Sequence, residues 1–222
     1  MTHNGHIVAI TGASGRLGRC IVPAFLQAGA RIVTMDRRVE SDDQLDDQAA
    51  LRLAIDVTNE DSVRQAFQQT SQELGPIDVL VHTVGGWDGR PFLETSLDQW
   101  NAMVGLNLTS AFLCFREAAR QMQGRGGTIV GIASGQGADR GMSRQSAYSA
   151  SKGGLIRLIE AIAAEYQESG TRALAIAPST LLFDENSNEA GVPAEDVAAL
   201  CVYASSAAGK SLNGATLRAY GP

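Results

Sequence analysis

The chain has 222 residues, 44% of them hydrophobic, and a formal charge of −6. That length and apolar content suit one α/β domain, residues 1–222, with a full core. The acidic balance argues against nucleic acid as a partner, and no apolar run approaches the roughly 18 residues that cross a membrane. Cys20, Cys114 and Cys201 are odd in number and far apart. They fit buried thiols in a reducing compartment better than a disulfide framework or a metal site. Residues 1–6 lack the basic-then-apolar plan of a secretion signal, so a cytoplasmic protein is expected and no metal is.

In chain order, "HIVAIT" (6–11) reads as a β-branched strand, and "RLGRCIVPAFLQAGA" follows with helical spacing and Gly29 as its stop. "RIVTM" (31–35) is a second strand. "ESDDQLDDQ" (40–48) is an acidic, solvated loop. "LRLAIDV" (51–57) is a third strand. Thr58 is placed to cap the next helix, with Glu60 and Asp61 in its first turn and Gly75-Pro76 as its end. "IDVLVHTV" (77–84) is a fourth strand. Thr95 and Asp98 suggest a capping box that opens one long helix to about Gln123. "GTIVGIAS" (127–134) is a fifth strand. A helix over about 147–169, strand "RALAIA", a helix from about Ala194 and strand "ATLRAY" complete the series. Strand and helix alternate throughout, which implies a doubly wound parallel sheet covered on both faces. Such sheets bind ligands beyond the carboxyl ends of their strands, beside the switch in strand order.

After the first strand comes "TGASGRLG" (11–18). Gly12 permits a tight turn, Gly15 a close approach to phosphate, and Gly18 close helix–sheet packing. The free N–H groups of the helix start can face a pyrophosphate. Asp36 follows the second strand, where a carboxylate can accept from adenine-ribose hydroxyls and repel a 2′-phosphate. It favours NAD over NADP. Arg37, Arg38 and Arg16 oppose that preference, because a guanidinium can hold a 2′-phosphate. Asp56 and Val57 are placed to form an adenine pocket, although Asp56 reads equally as a residue leading into the next helix.

"SAYSASKGG" (146–154) raises a separate question. Tyr148 and Lys152 are four residues apart and share one helix face. A free tyrosine titrates near 10, too high for proton transfer at neutral pH, and a nearby ammonium lowers it. Ser134 ends the fifth strand, where its hydroxyl can hold a substrate oxygen together with Tyr148.

With "TGASGRLG", Asp36, Asp56-Val57, "IDVLVHTVGG", "GLNLTSAF", "IVGIAS", "AYSASKGG" and "AIAPST" all present, the chain resembles the short-chain dehydrogenase/reductases over essentially its whole length. The resemblance implies a Rossmann fold with a seven-stranded sheet, and hydride transfer between NAD(P) and a carbonyl or secondary alcohol. It implies Tyr148 as acid–base, Ser134 as substrate-orienting, and Lys152 as the group that lowers the tyrosine pKa and binds the nicotinamide ribose. Asn107 would hold a water in a proton relay to Lys152. The cofactor set extends by the same likeness to Ser14, Leu17, Thr83, Gly85, Pro178 and Thr180. A homodimer or homotetramer, built on the two long helices, is the family's usual assembly.

The sequence departs from the family pattern in several places. Arg16 stands where compact members have the middle glycine. "HTVG" (82–85) replaces "NNAG", which puts His82 near the adenosine side as a structural group. Ser134 and Tyr148 are one residue further apart than usual, and "PS" (178–179) replaces "PG" ahead of a short 181–192 segment. These departures motivate a second reading, a non-catalytic NAD(P) sensor or interaction protein on the same fold. Trp87, Phe92 and Leu181–Phe183 are expected to line an apolar pocket.

Overall fold

The computed structural model describes residues 2–38, 48–184 and 190–221; most of the acidic 40–48 loop lies outside them. The main elements are β1 (Ile7–Thr11), α1 (Arg16–Gln27), β2 (Arg31–Asp36), β3 (Leu51–Ala54), α2 (Glu60–Glu73) and β4 (Val79–His82). They continue with α3 (Leu97–Val104), α4 (Ser110–Met122), β5 (Gly127–Ile132), α5 (Gly135–Ala138), α6 (Ser146–Glu165) and β6 (Thr171–Pro178). β7 (Leu181–Leu182), β8 (Val192–Pro193), α7 (Ala194–Ser205) and β9 (Thr216–Ala219) complete the chain.

Seven strands form one parallel sheet in the order β3-β2-β1-β4-β5-β6-β9. Its strands are buried on both faces, so they read as continuous apolar runs such as IVAIT and VLVH rather than as alternation. α1 and α7 cover one face around Ile21, Phe25, Ile32, Val197 and Cys201. α2, α4 and α6 cover the other around Phe67, Leu80, Phe115, Leu155 and Ile159. The strand order reverses between β1 and β4, so the carboxyl ends of β1, β2, β4 and β5 surround one crevice.

Several boundaries differ from the sequence reading, each for a local polar reason. The α2 cap is Asn59, whose side chain accepts from Ser62 N. Thr58 is instead held by Asp56, which accepts from its N–H at 2.9 Å and its hydroxyl at 2.6 Å. That turn also ends β3 before Asp56. The capping box of α3 pairs Ser96 with Gln99, not Thr95 with Asp98. The long helix is interrupted by one π-helical stretch, Gly105–Thr109, which carries Asn107. Such wide turns inside α-helices often mark functional positions. Strand five ends at Ile132, and Ser134 caps the short α5, accepting from Gly137 N. α6 stops at Glu165, and Gly170 (φ +75°) turns the chain into β6.

Candidate active site

Two adjoining cavities open at the carboxyl edge of the sheet. The first, about 920 Å³, is bounded by the β1–α1 loop, the ends of β2 and β3, and Thr83–Gly85 after β4. Of the residues expected to bind cofactor, Gly12, Ser14, Gly15, Arg16, Leu17, Gly18, Asp36, Arg37, Asp56, Val57, Thr83 and Gly85 line it. Gly12 adopts φ +75°, and a Cβ there would lie 2.6 Å from Thr83 Oγ1. A Cβ on Gly18 would lie 2.3 Å from Gly12 O, so only glycine lets α1 approach the loop this closely. α1 has no side-chain cap, which leaves first-turn N–H groups directed at the cleft. These features fit a dinucleotide's pyrophosphate.

One carboxylate oxygen of Asp36 is already engaged. Its Oδ1 takes Ser14 N–H at 3.0 Å and the Ser14 hydroxyl at 2.8 Å, tying β2 to the glycine loop. Five arginines, 16, 19, 37, 38 and 52, share this wall with Asp36 and Asp56. The Thr58 bonds hold the Asp56 carboxyl below its usual range, and Arg37 adds to the effect. Arg16, in the place of a glycine, stacks its guanidinium 3.9 Å from the centre of the Phe183 ring. The phosphate loop is thereby joined to the segment after β6. Pro178 and Thr180 border the second cavity, not the first.

The second cavity, about 720 Å³, shares Leu17, Thr83 and Gly85 with the first. Ser134, Tyr148 and Lys152 all border it. Their meeting follows from packing. A Cβ on Gly137 would sit 2.6 Å from the Lys152 carbonyl carbon, so Gly137 lets α5, with Ser134 at its cap, seat directly against α6. Lys152 is buried, and its Nζ donates to Ile132 O at 2.7 Å. Burial lowers its pKa to about 8. Burial also pushes the Tyr148 phenol up, while a hydrogen bond with Ser134 opposes that shift. The depression of Tyr148 by Lys152 expected from the helix spacing does not dominate here. Shared face is not shared contact, and the ammonium is drawn to the β5 carbonyl.

Asn107 borders neither cavity but stands behind them. Its Oδ1 accepts from Gly86 N at 2.8 Å, and its Nδ2 lies 3.0 Å from both Gly86 O and Ser151 Oγ. A methyl on Gly85 would meet Asn107 Oδ1 at 2.9 Å and Lys152 Nζ at 3.0 Å. The asparagine therefore pins the turn after β4 against α6.

His82 is buried at the end of β4. Ser110 donates its proton to Leu106 O, so its oxygen accepts from His82 Nε2–H at 3.3 Å. Nδ1 is then the acceptor for the Thr11 hydroxyl at 2.8 Å. One neutral imidazole thus spans β1, β4 and α4. Burial, with Lys152 adding to it, lowers its pKa to about 3.

Of the expected pocket wall, Trp87 and Leu181 are present. Phe92 is not: it lies on an exposed 3₁₀ turn, Phe92–Glu94. Phe183 packs under Arg16 instead. Gln136, Asp139, Arg140, Met142 and Tyr220 also line the wall and were missed. Only the closeness of 136–142 to Ser134 in sequence hinted at them; Tyr220 reaches the site through the last strand.

Comparison with known proteins agrees with this architecture. A family model described as short chain dehydrogenase matches residues 6–190. An uncharacterised oxidoreductase of Schizosaccharomyces pombe is 37% identical over 183 residues, 82% of this chain and 69% of that protein. The D-threitol dehydrogenase of Mycolicibacterium smegmatis is 31% identical over 237 aligned residues, 96% of this chain and 91% of that one. The crystal structure of a short chain dehydrogenase from Mycobacterium smegmatis superimposes with a TM-score of 0.87 at 29% identity, covering 98% of this chain and 92% of its own.

Proposed function

The chain belongs to the short-chain dehydrogenase/reductase family, and from that premise we propose how its residues divide the work of an NAD(P)-dependent oxidoreductase on CH–OH or C=O groups. The observation that carries the reading is that Ser134, Tyr148 and Lys152 border one cavity contiguous with the glycine-loop cleft. A nicotinamide bound there supplies the two-electron donor and acceptor. Tyr148 gives or takes the proton at the substrate oxygen. Ser134 donates a hydrogen bond to the same oxygen and fixes the orientation of its carbon. Lys152 holds the nicotinamide ribose, and the Ser134 hydrogen bond opposes the burial that raises the phenol. Asn107 is a positioning residue for Gly85, Gly86 and α6, with one Oδ1 lone pair left for a relay water.

Gly12, Ser14, Gly15, Arg16, Leu17 and Gly18 cradle the pyrophosphate, Asp36 addresses the adenine ribose, and Asp56 and Val57 the adenine. Thr83, Gly85, Pro178 and Thr180 line the nicotinamide end. Asp36 favours NAD. NADP is a second reading, supported by the engagement of Asp36 with Ser14 and by Arg16 and Arg37 on the same wall. One domain, residues 1–222, carries both sites. Association into a homodimer or homotetramer is supported by exposed Leu97, Trp100 and Phe112 on α3 and α4. A cytoplasmic setting is supported by three unpaired cysteines. Among the described residues no helix is long and apolar enough to cross a membrane.

The test is titration with NADH and NADPH, then oxidation of a secondary-alcohol panel by wild type and Tyr148→Phe. Binding retained and turnover lost in the variant is the expected result. Wild-type turnover by Tyr148→Phe refutes the assignment.

A further inference from the structure

Three charged side chains, Asp139, Arg140 and Lys152, border the substrate cavity among the described residues. Two of them are committed to protein partners. Lys152 donates to Ile132 O. Asp139 takes Arg218 Nε–H at 2.7 Å on one carboxylate oxygen and the Tyr220 hydroxyl on the other. Both partners come from the last strand and its exit, so β9 neutralises the acid next in sequence to Arg140. Those bonds hold the Asp139 carboxyl below its usual range and keep it charged but satisfied.

Arg140 is exposed and makes no hydrogen bond or ion pair with any described residue. The same 139–144 loop carries Arg144, held at φ +64° with its carbonyl accepting Arg90 N–H. Arg144 borders a separate small crevice with Asp88 and Arg90, so among the described residues Arg140 is the one guanidinium on the wall of this cavity. A guanidinium with an open fork beside a cavity matches a carboxylate bidentately. Trp87, Met142 and Leu181 on the same wall suit an apolar body.

We propose that the substrate is a secondary alcohol, or its ketone, that carries a carboxylate at the end remote from the reacting carbon, and that Arg140 binds that carboxylate. The inference rests on the dehydrogenase reading above and adds the substrate class to it. A single guanidinium fork matches the two oxygens of a carboxylate; a phosphate, with its greater charge, calls for more cationic partners than the one cation on this wall that has no hydrogen bond or ion pair among the described residues.

The experiment compares kcat/KM for matched pairs of different reach: 3-hydroxybutanoate, 4-(1-hydroxyethyl)benzoate and 9-hydroxydecanoate, each against its carboxamide. Wild type is expected to favour the carboxylate of at least one pair by roughly tenfold, a common value for a charge-assisted bond. Arg140→Gln collapses that ratio, Arg140→Lys keeps part of it, and added salt shrinks it. Calorimetric binding of 4-acetylbenzoate against 4-acetylbenzamide, to the protein loaded with cofactor, reads the same preference without turnover. Equal treatment of acid and amide by wild type, or a preference that survives Arg140→Gln, overturns the proposal. Turnover of the amides without that preference sinks Arg140 alone. Carboxylate-selective binding with no turnover of any pair supports Arg140 and sinks the dehydrogenase reading.

Discussion

Replacing His82 with asparagine removes a buried imidazole that can be neutral only at a cost below neutral pH. In the folded protein His82 is held near a pKa of about 3, against 6.5 when unfolded. The folded state therefore binds fewer protons than the unfolded one between those values. Stability from this group is full above pH 6.5 and is lost as pH falls toward 3. The loss is about 1.4 kcal/mol per pH unit well inside the window, hence on the order of 2 kcal/mol at pH 5 and under ~1 kcal/mol at pH 6. The cause is geometric. Protonation would place an N–H on the nitrogen that now accepts from Thr11, and a charge beside buried Lys152. Urea unfolding of wild type and His82→Asn at pH 7, 6, 5.5 and 5 tests it. At pH 7 the variant is less stable, because Thr11 and Ser110 lose their partner. By pH 5 the gap should have shifted by about 2 kcal/mol in favour of the variant. His3 is also depressed by burial, but it is common to both proteins and cancels in the difference. Parallel stability curves across that range would refute the buried neutral imidazole.

Other expectations follow from the same geometry. Tyr148→Phe should lower kcat by about 10²- to 10⁴-fold with cofactor affinity little changed, measured by steady-state kinetics and nicotinamide fluorescence. Gly18→Ala puts a methyl 2.3 Å from Gly12 O. It should cost about 1–3 kcal/mol of stability by denaturant titration and weaken cofactor binding, since α1 must retreat from the loop. Asp36→Ala frees Ser14 N–H and hydroxyl and removes a negative charge from a wall with five arginines. The ratio of NADP to NAD efficiency should rise by at least roughly tenfold; an unchanged ratio would mean that Asp36 only braces the loop.

Much of this protein was legible from residue order alone. Alternating apolar runs and helical spacings gave the strand and helix series, because each rests on a short-range period. The glycines at 12, 15 and 18, Asp36, Ser134, Tyr148 and Lys152 were recognisable because a few residues at fixed offsets carry each signal. Caps were misplaced by one residue at Thr58 and Thr95. There, two neighbouring polar side chains compete for the same N–H groups, and the rest of the fold decides which is free. Tertiary structure alone decided that Asp36 is held by Ser14, that Lys152 points to Ile132 O, and that His82 bridges Thr11 and Ser110. It also brought Arg218 and Tyr220, from the last strand and its exit, onto Asp139 beside Arg140. Local periodicity fixes which face a residue presents. Only the parallel sheet, by laying distant strand ends side by side, determines which polar atoms find one another there and which are left to meet a ligand.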